Sequence, residues 1–329
     1  MSQIPTTPPS GFRDFLPQPC AARARAVETI SAVYRSFGFQ QIATSAVEVL
    51  SVLLGKGGSE NEKLIFKLLK RGAQLEQAQA QAGELADTGL RFDLTLPLAR
   101  YYSKYCGALP HPFKAFHIGP VWRAERAQKG RYREFYQCDA DIIGSDGISA
   151  EIDVISALLA AFDACGVQAT VHINDRGLLL ERLKQSGVPD DKIGPACIAL
   201  DKLDKVGRDG VIAELKEHGL PETLIARETS PGDARLRKIA DAVNAASGRA
   251  AAAHDPNLVR GFDYYTGAVF EFRHPKFSGS IGGGGRYDRL TSKFGGRAVP
   301  ACGASIGFER LMLLLEEAGV GPAAAGPDV

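Results

Sequence analysis

The sequence predicts an α+β fold, an antiparallel sheet flanked by helices and interrupted by a helical insertion. Three observations carry that expectation. Two strand-length segments, 113–123 (FKAFHIGPVWR) and 133–143 (REFYQCDADII), flank a charged loop holding Gly130. Antiparallel strands tolerate so short a connection, whereas parallel strands do not. Strand-like segments gather in groups with helices between them, without regular βαβ alternation. Residues 175–253 change character, with charged and apolar residues at helical spacing and breaks at Gly187-Val188-Pro189 and Ser230-Pro231-Gly232.

Taken in order, residues 1–18 are Pro-rich and extended. A helix starts at Cys20, where Val27, Ile30, Val33, Tyr34 and Phe37 recur at helical spacing until Gly38 stops the run. Residues 71–89, rich in Ala and Gln, form an exposed insertion, and 90–96 (LRFDLTL) is a further β-like segment. A helix over 149–165 carries Ile152, Ile155, Leu158, Leu159 and Phe162 on one face, and a strand follows at 168–173. Beyond the helical insertion, strand character returns at 262–273 (FDYYTGAVFEFR), followed by a glycine run and a last helix from about Ser305 to Glu317. The tail GVGPAAAGPDV has linker composition. The expected organisation is a core whose first part spans 1–174, an insertion at 175–253, a second core part at 254–318 and a tail at 319–329.

The bulk numbers exclude more than they select. A chain of 329 residues suggests about two domains. Its hydrophobic fraction of 45% and charged fraction of 23% are ordinary for a globular protein. Lys and Arg number 39 against 38 Asp and Glu, a net charge of +1, so any nucleic-acid contact must come from a local basic patch. The six cysteines are scattered without the CxxC spacing of a zinc or redox site, which favours reduced, packed thiols. The N-terminus MSQIPTTPPS lacks the order of a signal peptide, and no apolar run approaches the ~18 residues of a membrane span. A cytoplasmic protein is expected.

Five segments can carry chemistry. The first is RAERAQKGRYREFYQCDAD, 123–141, in which Arg123, Arg126, Lys129, Arg131 and Arg133 surround the loop between two strands. A solvated basic turn accounts equally well for the loop tip. Arg123 follows the apolar run Ile118–Trp122, which holds it near a sheet surface, where a planar, permanently charged fork suits a phosphate. The second is LVRGFDYYTG, 258–267, by itself also readable as a strand with an aromatic pair at a turn. The third is SIGGGGRYDRL, 280–290, where four consecutive glycines suit a backbone that approaches something closely, or a flexible loop. The fourth, GASIGFERLMLLLEE at 303–317, sets Arg310 early in a helix whose Leu311, Leu314 and Leu315 supply an apolar face. The fifth is RFDLT, 91–95, with the Asp93 carboxylate and Thr95 hydroxyl as acceptors, or simply a half-buried strand.

In this order the segments resemble those of the histidyl-tRNA synthetases, a family of class II aminoacyl-tRNA synthetases. The resemblance runs from GFRDFLP at 11–17, through the motif 1 region GFQQIATSAVE at 38–48, to the motif 3 helix ending near 317. It implies ligase activity in protein biosynthesis: ATP-dependent activation of histidine to an adenylate, then transfer to tRNA(His). The attacking carboxylate is already ionised at pH 7, so positioning and charge neutralisation must do the work. The resemblance assigns Arg123 and Arg260 to the α-phosphate as catalytic groups and Arg310 to the γ-phosphate. Glu125 is assigned to the adenine amino group or Mg²⁺, and Tyr132 to the nucleotide and carboxylate side. Magnesium bridges phosphates with few protein ligands, and no dedicated metal site is expected.

Histidine would be held by Asp93 and Thr95 at its ammonium, with Gln137 nearby, and by Asp141 and Tyr265 at its two ring nitrogens, with Tyr264 and Tyr287 beside the ring. Arg126, Gln128 and Lys129 would meet the tRNA acceptor stem. A homodimer built through motif 1 is implied, with Ser45 standing where the family usually has proline. Ala127 replaces a common loop proline, and Asp141 stands where many relatives have glutamate. The family also carries a C-terminal anticodon-binding domain of roughly a hundred residues. This chain stops at Val329, in what would be the linker, so a catalytic core without that domain is expected.

Two other functions fit the same segments. One is the non-catalytic, synthetase-like regulatory subunit of ATP phosphoribosyltransferase in histidine biosynthesis, which also lacks the anticodon domain. It generally loses catalytic residues, however, and Arg123, Arg260, Tyr265 and Arg310 are all present here. The other is a free-standing enzyme that ligates histidine to an acceptor other than tRNA.

Overall fold

A computed structural model describes residues 4–54, 62–127, 130–225, 233–260 and 264–319. The described chain reaches its first helix at α1 (Pro17–Ser36), whose Pro17 and Pro19 sit in the first turn, where their missing N–H groups are harmless. Ala26, Ile30 and Tyr34 form its buried stripe. Then come β1 (Gln40–Gln41), β2 (Val47–Val49), α2 (Leu50–Leu54), β3 (Lys67–Leu69), α3 (Ala73–Ala80) and β4 (Ala86–Leu90). Residues 71–89 are therefore not wholly an exposed insertion. Their last part pairs with both β2 and β3 in a small three-stranded sheet.

The next element overturns the expectation of a strand at 90–96. Residues from 95 onward form α4 (Thr95–Tyr105). Asp93 Oδ1 accepts from the Leu96 N–H at 3.2 Å, satisfying an otherwise orphaned donor, and Pro97 is tolerated in the first turn. Leu96, Leu98, Ala99 and Tyr102 are buried along this helix, so capping and packing together outweigh the local β pattern.

The expected strand pair is present as β5 (Phe113–Trp122) and β6 (Glu134–Ile143), antiparallel in register from Phe113↔Ile143 to Trp122↔Glu134. After α5 (Ser149–Ala164) and β7 (Thr170–Asp175) come α6 (Arg176–Gln185), α7 (Ile193–Asp201) and α8 (Leu203–Glu217). They enclose a cluster of their own that includes Leu179, Leu183, Leu200, Val211 and Leu215. By contrast, α9 (Ala234–Ser247) sends Leu236, Ile239 and Val243 into the main core, and β8 (Ala252–His254) pairs parallel to β7. The chain then returns through β9 (Ala268–His274), β10 (Phe277–Arg286), β11 (Ala301–Gly307) and α10 (Phe308–Glu317). The last helix thus begins three residues later than expected, because residues up to Gly307 are bound into the sheet between β6 and β10.

Among the described residues the main sheet has eight strands in the order β1-β5-β6-β11-β10-β9-β7-β8, antiparallel except at its two edges. Strand alternation gives it two distinct faces. Cys138, Ala140 and Ile142 of β6, with Cys302, Ala304 and Ile306 of β11, join α1, α5, α9 and α10 in the large core. The intervening residues of β6 and β11 point the other way.

Candidate active site

On that second face β6 presents Gln137, Asp139 and Asp141, opposite Gly307, Ser305 and Gly303 of β11. A cleft with a volume of about 340 Å³ opens above them, within the usual range of small-molecule sites. Arg123, Glu125 and Tyr132 line it from the connection between β5 and β6, and Arg260, Tyr264 and Tyr265 from the segment before β9. Tyr287 enters from the end of β10 and Arg310 from the first turn of α10. Three guanidinium groups separated by long stretches of sequence thus share one cavity. Asp93 is not among the lining residues, since its carboxylate caps α4, whereas Thr95 reaches the cleft. Arg126 is exposed and does not line the cleft, and Gln128 and Lys129 lie outside the described residues.

The glycine run explains how so many side chains fit. On Gly283 a Cβ would stand 1.8 Å from Arg260 Nη1, and on Gly285 it would stand 3.0 Å from the Tyr265 ring. Across the sheet, a Cβ on Gly303 would lie 1.7 Å from Asp141 Oδ1. The glycines are strand residues over which site side chains lie flat.

The acidic floor is buried, and burial sets its charge. Asp141 is pushed up to about 7, mainly by burial, while the Tyr287 hydroxyl, donating to Oδ1 at 2.5 Å, works in the opposite direction. Asp139 is raised well above the usual carboxylate range by burial and by Asp141 beside it. Burial raises Asp93 to about 6. Crowded carboxylates of this kind are relieved by a cation. Arg123 donates through Nε to the Phe92 carbonyl at 3.1 Å, with the Phe135 ring 4.9 Å from its Cζ. The Tyr264 ring lies 4.6 Å from Tyr265 and meets Tyr287 edge-on at 6.3 Å.

Two carboxylates in the cleft escaped the sequence reading. Asp139 was detectable, because it stands two residues from both Gln137 and Asp141 on one strand face. Glu309 was not. It accepts from Arg13 at 2.5 Å and from both terminal nitrogens of Arg23 at 2.7 and 2.8 Å, partners nearly three hundred residues away in sequence.

A sheet floor with convergent arginines over an acidic, tyrosine-lined pocket has the architecture of a class II aminoacyl-tRNA synthetase core. The comparisons narrow the class. The profile of the family "Histidyl-tRNA synthetase" matches residues 11–311. The histidine–tRNA ligase of Leifsonia xyli subsp. xyli is 40% identical, over 98% of this chain and 82% of that protein. Histidyl-tRNA synthetase from Nostoc sp. PCC 7120 superposes with a TM-score of 0.80 at 28% identity, covering 97% of this chain and 77% of that one. A Bacillus halodurans protein described as an ATP phosphoribosyltransferase regulatory subunit/histidyl-tRNA synthetase superposes at 0.75, covering 95% of this chain and 84% of that one. At 23% identity, it shares the fold alone. The chain belongs to the histidyl-tRNA synthetase family.

Proposed function

We propose that this chain is a histidine–tRNA ligase that activates histidine with ATP and transfers it to tRNA(His). The observation that carries the proposal is that one cleft is lined in part by the cations Arg123, Arg260 and Arg310, and in part by the acidic and phenolic groups Asp139, Asp141, Tyr265 and Tyr287. Triphosphate suits the first part. A cationic amino acid with a hydrogen-bonding ring suits the second.

In this mechanism the ionised histidine carboxylate attacks the α-phosphorus of ATP and pyrophosphate leaves. Arg123 and Arg260 neutralise the charge that develops on the α-phosphoryl oxygens, and Arg310 holds the distal phosphate. Thr95 and Asp139 receive the histidine ammonium, and Asp93, buried behind them, adds negative charge. Asp141 accepts from one imidazole N–H, and the Tyr265 hydroxyl bonds the other nitrogen. Tyr264 and Tyr287 wall the ring, Gln137 faces the amino end, and Tyr132 lies on the nucleotide side. Such a pocket rejects apolar isosteres by leaving buried polar groups unpaired.

Magnesium fits as a companion of ATP held mostly by phosphate and water. Asp139 and Asp141 are buried in the acidic floor, and Glu309 is engaged by two arginines. This leaves Glu125, whose Oε2 lies 3.2 Å from Arg131 Nη1, as the other carboxylate that lines the cleft. When bound, the ion offsets phosphate charge.

Arg126, with Gln128 and Lys129, meets the acceptor stem. A homodimer through the motif 1 region is supported by exposed Val47 and Val49 on β2 and Leu69 on β3. Ser45, in place of the usual proline, ties the turn by its hydroxyl, which accepts from the Val47 N–H at 3.2 Å. A cytoplasmic setting accords with six free cysteines. No described helix is long and apolar enough to cross a membrane.

The test is histidine-dependent exchange of pyrophosphate into ATP, followed by charging of tRNA(His). Both are expected. Exchange without charging would point to another acceptor. Neither would sink the synthetase assignment and favour the regulatory paralogue.

A further inference from the structure

Glu271, on β9, has none of the roles given above. Its Oε2 accepts from Arg260 Nε at 2.9 Å, and its Oε1 accepts from Arg273 Nε at 2.8 Å. Arg273 is itself held: Nη1 lies 3.4 Å from Asp255 Oδ2 and 3.3 Å from His172 Nδ1. With its second oxygen committed, Glu271 does not form the two parallel bonds that would occupy the fork of Arg260. It grips the guanidinium by its inner nitrogen.

The outer nitrogens are placed by β10. Arg260 Nη2 donates to Ser280 Oγ at 2.7 Å, and Nη1 lies over Gly283. The same Ser280 Oγ accepts from Arg310 Nη1 at 3.2 Å, and the Ser280 carbonyl accepts from that nitrogen too. Two like-charged forks, which repel each other, are tethered to one residue. Ser280 also sits at register irregularities of the β9–β10 pairing, the kind of local distortion that re-aims a side chain beside a site. Burial acts to raise the Glu271 pKa, but Arg260 and Arg273 hold its carboxyl below the usual range, so the anchor stays charged.

We propose that Glu271 and Ser280 are positioning residues for the phosphate-binding arginines: Glu271 fixes the direction of Arg260, and Ser280 fixes its spacing from Arg310. This rests on the assignment of both arginines to ATP. A fork whose inner edge is pinned can present its outer N–H groups without reorganising as charge develops on the α-phosphate.

The experiment is steady-state pyrophosphate exchange by the full chain carrying Glu271→Gln, Ser280→Ala or Ser280→Thr, and a cycle with Arg260→Ala. Glu271→Gln is expected to lower kcat on the order of 10²-fold, the penalty of a misplaced catalytic group, with both KM values within about threefold of the parent. Ser280→Ala is expected to lower kcat about tenfold, with Ser280→Thr, which restores the acceptor, close to the parent. In the Arg260→Ala background Glu271→Gln should cost nothing further, because the group it positions is gone. A structural role exerted through Arg273, independent of Arg260, predicts the opposite, a loss that multiplies that of Arg260→Ala. That result, or Glu271→Gln within about twofold of the parent, overturns the proposal. Should Glu271→Gln not fold, Ser280→Ala matching the parent does so instead. Absence of exchange in the unsubstituted chain overturns the synthetase assignment and this inference together, whereas exchange indifferent to Glu271→Gln overturns the inference alone.

Discussion

Asp141 concentrates the chemistry of the acidic floor in one side chain. It is buried, receives the Tyr287 hydroxyl at 2.5 Å and lies against the bare backbone of Gly303. Asp141→Ala is expected to raise the histidine KM roughly 10–100-fold, the value of a lost charge-assisted hydrogen bond, while leaving the ATP KM nearly unchanged. Equal effects on both constants in exchange kinetics would rule the assignment out. The choice of Asp141, Tyr265 and Tyr287 could be made from their motifs alone, and all three line the cleft. Asp93 was chosen on the same grounds, yet the structure gives its carboxylate to the start of α4. The difference is physical. A motif identifies a residue type at a position, but which neighbour reaches a carboxylate first depends on local backbone geometry.

At the scale of elements, strand pairing was legible where period and loop length agreed, as in β5 and β6. It failed at α4 and β11, where capping by Asp93 and pairing on both edges decided the outcome. Least legible was the clamp at the N-terminus of α10. Arg13 and Arg23 converge there on Glu309, whose side chain is only 6% exposed, and Arg13 also lies over the Tyr132 ring. This ties the segment before α1 to the wall of the cleft. Glu309→Ala leaves two partly buried guanidinium groups uncompensated, and is expected to destabilise the protein by about 3 kcal/mol in urea unfolding. A loss under about 1 kcal/mol, the scale of an exposed ion pair, would show that the clamp contributes little.

The whole molecule should feel its buried titratable groups as pH changes. Asp93 and Asp141 stand near 6 and 7 in the fold, against about 4 in an unfolded chain. Between these values the folded state keeps protons that the unfolded state has released, so their contribution to stability falls as pH rises from about 4 to about 7. His117 acts in the opposite sense. Burial, then Arg91, pushes it down to about 4. The unfolded chain therefore binds the extra proton, and its contribution rises from pH 4 to about 6.5. Asp141→Asn removes one falling contribution without removing the acceptor for Tyr287. The variant's Tm should accordingly rise more steeply, or fall less, from pH 5 to 7 than the parent's. Identical slopes would mean that Asp141 titrates normally in the fold.

The sequence by itself determined the family, the order of the motifs, the α+β class and most of the polar side chains that line the cleft. These depend on residue identity and short-range period, which a linear reading preserves. Only the tertiary structure decided that Arg123, Arg260 and Arg310 share one cavity, that Glu309 binds Arg13 and Arg23, and that Glu271 and Ser280 hold the arginines in place. Those relations join residues remote along the chain. They exist only once strand register and helix packing have fixed which distant side chains meet.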